Sequence, residues 1–271
     1  MAVDSTGRYL FGASYSDHVL MRMDLTSGST TTIASGISSY PMGVTLSADD
    51  KFAFVSTHGP PCYVWKVDIE AGTKTIFAGQ NSATSPQHAD GIGNSGFAYP
   101  RTILRVGSNL YVADSYNYCI RRIDLETGEV FSDVAGLCGV GNGNGANDGV
   151  GTNARFNHPE GLGASPDGQF LYVGDTSGNR LRKIELATRT VTTLRSSGLS
   201  SPWAIDTNAD GSVVYVANRA GNNIKQIDAN TGQELGSFYT GSNPWGLSST
   251  SDGGYAYFSY NSKYVGRISI A

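Results

Sequence analysis

One short pattern recurs six times along this chain: apolar-x-x-apolar-acid-apolar. It reads Leu20-Met21-Arg22-Met23-Asp24-Leu25, then 64–69, 120–125, 181–186, 224–229 and 265–270. The acidic position holds Asp24, Asp68, Asp124, Glu185 and Asp228, with Ser269 the exception. A unit of about 45 residues built from several short strands cannot bury both its faces alone, so successive units must pack on one another. The repeat therefore predicts an all-β fold: one six-bladed β-propeller of four-stranded antiparallel blades. The blades span 1–36, 37–80, 96–137, 155–196, 197–241 and 242–271.

Each unit has the same grammar. An inner strand follows a proline, at Pro41, Pro100, Pro159, Pro202 and Pro244. Asp-Gly turns such as Asp167-Gly168 and Asp210-Gly211 suit the antiparallel reversal, because Gly accepts positive φ. The second strand is the most apolar, as in Leu110-Tyr111-Val112-Ala113. The third is the repeated pattern. Its leading apolar residues lie three apart, which strict alternation forbids on one face, so a bulge is expected. The fourth is Thr-rich and outermost, which suits an exposed edge. The last blade lacks this strand within the chain. Two long connections, Gly79 to Tyr99 and Gly136 to His158, each carry Asp-Gly-x-Gly, at Asp90 and Asp148. Phe97 and Phe156, just after those motifs, are expected to plug the seams between blades.

Composition narrows the function classes. Net charge is −4, from 19 basic against 23 acidic residues, which opposes a nucleic-acid partner. No apolar run reaches membrane-spanning length, and no targeting segment is read at the start. The chain opens without the proline of the other inner strands and stops before a sixth outer strand, as a segment of a longer protein would. Cys119 and Cys138 flank one predicted hairpin, so either they form a disulfide or they are two separate thiols. A bridge would imply an extracellular or secretory compartment. Cys62 has no partner in view and is either free or bonded outside the chain.

The residue after each inner-strand proline should line one mouth of the central channel: Met42, Arg101, Glu160, Trp203 and Trp245. Trp and Arg concentrate where partners are gripped, so this ring is the candidate partner-binding surface. The alternative is ordinary seam packing, with Arg101 and Glu160 simply paired. Asp114, Asp175 and Asn218 share a column with Ser14, Thr57 and Tyr260, where a polar side chain would cap the following loop. His18, His58, His88 and His158 should all lie on loops at one face without metal-ligand spacing. Asp90 and Asp148 are thin calcium candidates, offering one carboxylate per loop. Arg121, Arg122, Arg180, Arg182 and Lys183 read as a mixed solvated face. No catalytic elbow or cofactor motif is present, so no cofactor is expected.

The lines Leu110 to Asp114 leading to Ile120 to Asp124, and Asp148-Gly149-x-Gly151-x-x-Ala154-x-Phe156-x-x-Pro159, resemble the NHL-repeat propellers. The run Pro159 to Gly168, with Asp175, Arg182 and Thr192-Thr193-Leu194, is similar to propellers of secreted algal glycoproteins of the mastigoneme type, which build filaments on flagella. That resemblance implies a non-catalytic, protein-binding or structural module at the cell surface or outside it, with other protein chains as partners. Two other functions remain open: a channel-centred metal-dependent lyase or lactonase, and an RNA-binding NHL domain.

Overall fold

The computed structural model describes residues 1–80, 88–93, 95–139, 145–250, 252–260 and 264–270; parts of both long connections lie outside these ranges. Six antiparallel sheets follow one another around a ring. In blade 1 the strands Ala2–Val3, Tyr9–Ser14, Val19–Asp24 and Thr30–Ala34 run in order from the hub outward. The inner strands of the other blades are Pro41–Leu46, Pro100–Val106, Pro159–Ala164, Pro202–Thr207 and Pro244–Ser249. The ring closes where the Val3 N–H donates to Ser248 Oγ at 3.0 Å, joining blade 1 to blade 6.

The recurring acid of the repeat has a local job. Asp24 Oδ1 accepts the N–H groups of Thr26 and Ser27, at 2.9 and 3.0 Å. Asp68, Asp124 and Asp228 do the same for the two turn residues that follow them. The carboxylate thus organises the hairpin between the third and fourth strands, as Asx turns do. Those backbone donors hold Asp24, Asp124 and Asp228 below the ordinary carboxylate range.

Register shifts fall between the third and fourth strands at Leu20/Met21, Val64/Trp65, Ile120/Arg122 and Leu181/Arg182, and at Gln226/Ile227 in blade 5. The twist they add lets the outer strand peel away from the seam while the leading apolar residue of the pattern stays buried. Leu20, Val64, Ile120, Leu181 and Ile224 have no solvent exposure.

Neighbouring inner strands touch through backbone at the Pro-x-Gly position. A Cβ on Gly43 would stand 2.5 Å from the Arg101 carbonyl oxygen, and one on Gly161 would run into the Trp203 carbonyl. Side chains there would push the blades apart.

Blade 4 departs from the four-stranded expectation. Gly149–Val150 adds a fifth strand against the outer strand Thr190–Arg195, and Gly91 bridges Val130 in the same way in blade 3. Each Asp-Gly-x-Gly segment therefore folds over the outer edge of the blade it precedes, which protects that edge from pairing. Phe97 packs in the apolar seam between blades 2 and 3, and Phe156 in the seam between blades 3 and 4. Among the described residues blade 6 has three strands, and no helix is long and apolar enough to cross a membrane.

Candidate functional site

The inner strands begin, and the second strands end, at the same mouth of the ring, since Pro100 pairs with Asp114 and Pro202 with Asn218. The approach to that mouth is a sharp corner. Tyr40, Tyr99, His158 and Ser201, each immediately before a proline, have φ of 60, 51, 54 and 52°. His18 and Tyr118, immediately before a third strand, have φ of 57 and 59°. Left-handed backbone is unusual for bulky residues and costs on the order of 1–2 kcal/mol each.

The side chains at these corners form a continuous arc over blades 1 to 4. Tyr15 stacks on Tyr40 at 4.6 Å, and His18 lies 5.5 Å from Tyr40. Tyr15 lies 6.3 Å from His58, which lies 4.9 Å from Tyr99. Tyr99 meets Tyr116 at 4.6 Å, and His158 takes both Tyr116 and Tyr118 at 4.7 and 4.9 Å. Tyr15, Tyr40 and Tyr116 are 47%, 44% and 44% exposed, a large apolar area for one rim.

Inside the arc sits a compact hub drawn from blades 3 to 6. Arg101 Nε lies 3.7 Å from Glu160 Oε1, and its guanidinium lies 5.1 Å from the Trp203 ring centre, two blades away. Trp203 and Trp245 meet edge-to-face at 4.9 Å. Arg219 covers both indoles, at 4.4 and 3.9 Å. Four of the five ring residues read from sequence are thus brought together. Met42 occupies the same register position of blade 2, half-buried, and adds neither charge nor ring.

The hub's polar groups are only partly satisfied by one another. Arg101 Nε, Glu160 Oε2, Arg219 Nε and His58 Nε2 are buried atoms without a hydrogen-bond partner. Burial pushes the Glu160 carboxyl up to about 7, against the pull of Arg101 and Arg219. Burial lowers both arginines. It also lowers His58 to about 4, with Arg101 adding to the effect. His158 is lowered for the same two reasons. Two guanidiniums facing one carboxyl leave surplus positive charge inside an aromatic rim.

Sequence reasoning missed Arg219 and every tyrosine of the arc. A signal was present: the residue before each inner-strand proline is Tyr40, Tyr99 or His158 in three successive blades. Arg219 had no such signal, because it projects from a short 3-10 turn, Arg219–Gly221, seen only in the fold.

Several expected sites have other roles. Asp90 and Asp148 are spent on buried arginines, 2.6 Å from Arg121 Nη2 and 2.8 Å from Arg182 Nη2, so they do not present free calcium carboxylates. Arg121 and Arg182 are fully buried, not part of a solvated basic face, and each lies over a seam phenylalanine, Phe97 or Phe156. Asp114, Asp175 and Asn218 do cap backbone, but of the preceding segment: they accept the N–H groups of Ala98, Asn157 and Ser200. His88 leaves the other three histidines and bonds Ser132 Oγ on an outer strand at 2.8 Å. Cys119 and Cys138 form a disulfide. Cys62 is free and buried. Among the described residues no three of His, Cys, Asp or Glu gather as a metal-binding group.

No family model matches the chain. Curated relatives match it in part. NHL repeat-containing protein 2 of Bos taurus is 39% identical over 82 residues, 30% of this chain and 11% of that protein. Its Homo sapiens counterpart is 33% identical over 108 residues, 39% of this chain and 14% of that protein. The NHL-repeat character of the propeller is supported by these relatives and by its strand topology. A third, the chloroplastic protein SUPPRESSOR OF QUENCHING 1 of Arabidopsis thaliana, is 30% identical over 152 residues, 50% of this chain and 13% of that protein. The chain thus spans only a small part of the length of these relatives.

Solved structures share the fold at low identity. A chain of a nidogen/laminin complex superposes with TM-score 0.74 at 12% identity, over 97% of this chain and 89% of its own. A gluconolactonase from Xanthomonas campestris gives 0.75 at 13% identity, over 100% and 84%. One such propeller sits in a protein complex and the other is an enzyme, so fold alone does not choose between binding and catalysis.

Proposed function

We propose that this NHL-type propeller is a non-catalytic binding module that holds another protein chain on the face where its inner strands begin. One observation carries this reading: Arg101, Glu160, Trp203, Trp245 and Arg219, from four blades, converge on one hub under an aromatic rim. Desolvated Trp and Arg anchors ringed by Tyr are the composition of a protein-binding hot spot. The nidogen/laminin neighbour is compatible with such a use. We place the module outside the cell, in a glycoprotein or filament assembly of the kind the algal-like run Pro159 to Gly168 suggests. The Cys119–Cys138 bridge supports an oxidising compartment.

The gluconolactonase neighbour favours a second reading, a channel-centred hydrolase. Against it, the described residues at the hub offer one carboxyl and no metal-binding cluster. An RNA-binding role is opposed by the net charge of −4 and by the burial of Arg121 and Arg182.

The deciding experiment pairs affinity capture from the source's cell-surface fraction with a turnover assay. Wild-type protein retains a partner that a folded Trp203→Ala/Trp245→Ala variant releases, and neither hydrolyses aldonolactones. Lactone turnover, stimulated by added zinc or calcium, would establish the second reading instead.

A further inference from the structure

The hub's charge arrangement indicates what kind of segment it takes. Both guanidiniums lie on the same indole: Arg101 is 5.1 Å and Arg219 4.4 Å from the Trp203 ring centre. The nearest acid is Glu160, whose Oε1 stands 3.7 Å from Arg101, too far for a hydrogen bond. Glu160 is only 8% exposed, and its second oxygen has no partner. Buried charged groups left this way are costly unless something completes them.

We propose that a carboxylate side chain on an extended acidic peptide segment of the partner completes this hub, seated between Arg101 and Arg219 against Trp203. This rests on the partner-binding reading given above. A planar carboxylate matches the fork of a guanidinium and forms charge-assisted hydrogen bonds with it, which a neutral group does not. The free Glu160 oxygen then accepts a backbone N–H of the same segment. Tyr15, Tyr40, Tyr99 and Tyr116 form the shelf on which flanking side chains lie. A peptide fits better than a phosphorylated or sulfated polymer, because the positive charge is two groups at one point rather than a track.

The test uses two amidated, N-acetylated pentapeptide pools, Xaa-Xaa-Asp-Xaa-Xaa and Xaa-Xaa-Asn-Xaa-Xaa, titrated against the intact protein by calorimetry. The acidic pool binds at least about tenfold more tightly, the value of one charge-assisted hydrogen bond. Arg219→Gln and Arg101→Gln each erase that preference, compared at a temperature where both variants are folded. Arg101→Lys restores part of it, since a point charge replaces a fork. Increasing salt reduces the preference, as a charge-based contact requires. Equal binding of the two pools, lost in Trp245→Ala, would overturn the carboxylate proposal and leave the partner-binding reading standing. If neither pool binds and the double tryptophan variant still captures the partner, both fall. Selective binding of oligogalacturonate over the acidic pool would likewise refute a peptide occupant.

Discussion

Arg121 Nη1 lies 3.1 Å from Asp114 Oδ2, and neither side chain has any exposure to solvent. The same guanidinium donates to the Gly96 and Ala89 carbonyls and to Asp90. Asp114 also takes the Ala98 N–H and the Asn117 amide. One ion pair therefore ties the long connection before blade 3 to that blade's second and third strands. Arg182 and Asp175 repeat the device in blade 4.

Removing one member of such a pair strands the other. Burial already pushes the Asp114 carboxyl up, and Arg121 opposes it. Arg121→Met is expected to cost about 3–5 kcal/mol in denaturant unfolding. Asp90→Asn touches a side chain that is 48% exposed and should cost no more than about 1 kcal/mol. Equal losses from the two variants would show that the latch does not depend on the buried pair.

A second expectation concerns the hub glycines. Gly161 is where blade 4 meets the backbone of Trp203. Gly161→Ala forces the inner strands of blades 4 and 5 apart and should lower stability by about 1–3 kcal/mol. Gly7, in a turn with nothing within 4 Å of its added Cβ, is the control for volume, although its φ of 71° adds backbone strain of its own. Weakened partner capture by Gly161→Ala but not by Gly7→Ala, at a temperature where both are folded, would tie hub geometry to binding.

The fold was legible because the repeat is enforced locally. Asp24 and its equivalents cap the same turn in blade after blade, and the apolar residues around them fill the seams. The candidate site was half legible. Arg101, Glu160, Trp203 and Trp245 share a register position, so the proline before each one marked it. The contacts of Arg219 and of the tyrosine arc arise only from the packing of successive blades, which brings residues distant in sequence together at one mouth. Asp90 and Asp148 misled for the opposite reason: a carboxylate in a Gly-rich loop looks like a cation ligand until the arginine beneath it is seen.

Cys62 should report on unfolding. Burial pushes its thiol up to about 11, so little thiolate exists at neutral pH. Ellman's reagent should find no fast-reacting thiol in the native protein and one in denaturant. A full equivalent reacting within seconds in the native state would mean that Cys62 is accessible. The Cys119–Cys138 bridge closes 19 residues and should contribute about 3 kcal/mol in the chain-entropy account, read as the loss on reduction.

The last expectation is a pH dependence centred on Glu160, whose carboxyl rises from 4.5 to about 7 in the fold. The folded state holds that proton more tightly than the unfolded state does. Its contribution is therefore complete below pH 4.5, declines as pH rises through about 7, and is flat beyond. The ceiling is about 3 kcal/mol, from the displacement at 1.36 kcal/mol per unit. His58 runs the other way: lowered from 6.5 to about 4, it favours the fold fully above 6.5 and loses that as pH falls. The two oppose each other between pH 4.5 and 6.5, so the wild-type profile alone hides both. The difference between wild type and Glu160→Gln isolates the first, and it should shrink steadily from pH 4.5 to 7. Arg101 and Arg219 are the charges that face this carboxyl, and ionised Glu160 competes for them. Affinity for an acidic peptide should accordingly rise as pH drops below 7 in wild type and stay level in Glu160→Gln. A wild-type affinity that is flat from pH 5.5 to 8 would separate Glu160 from the binding hub.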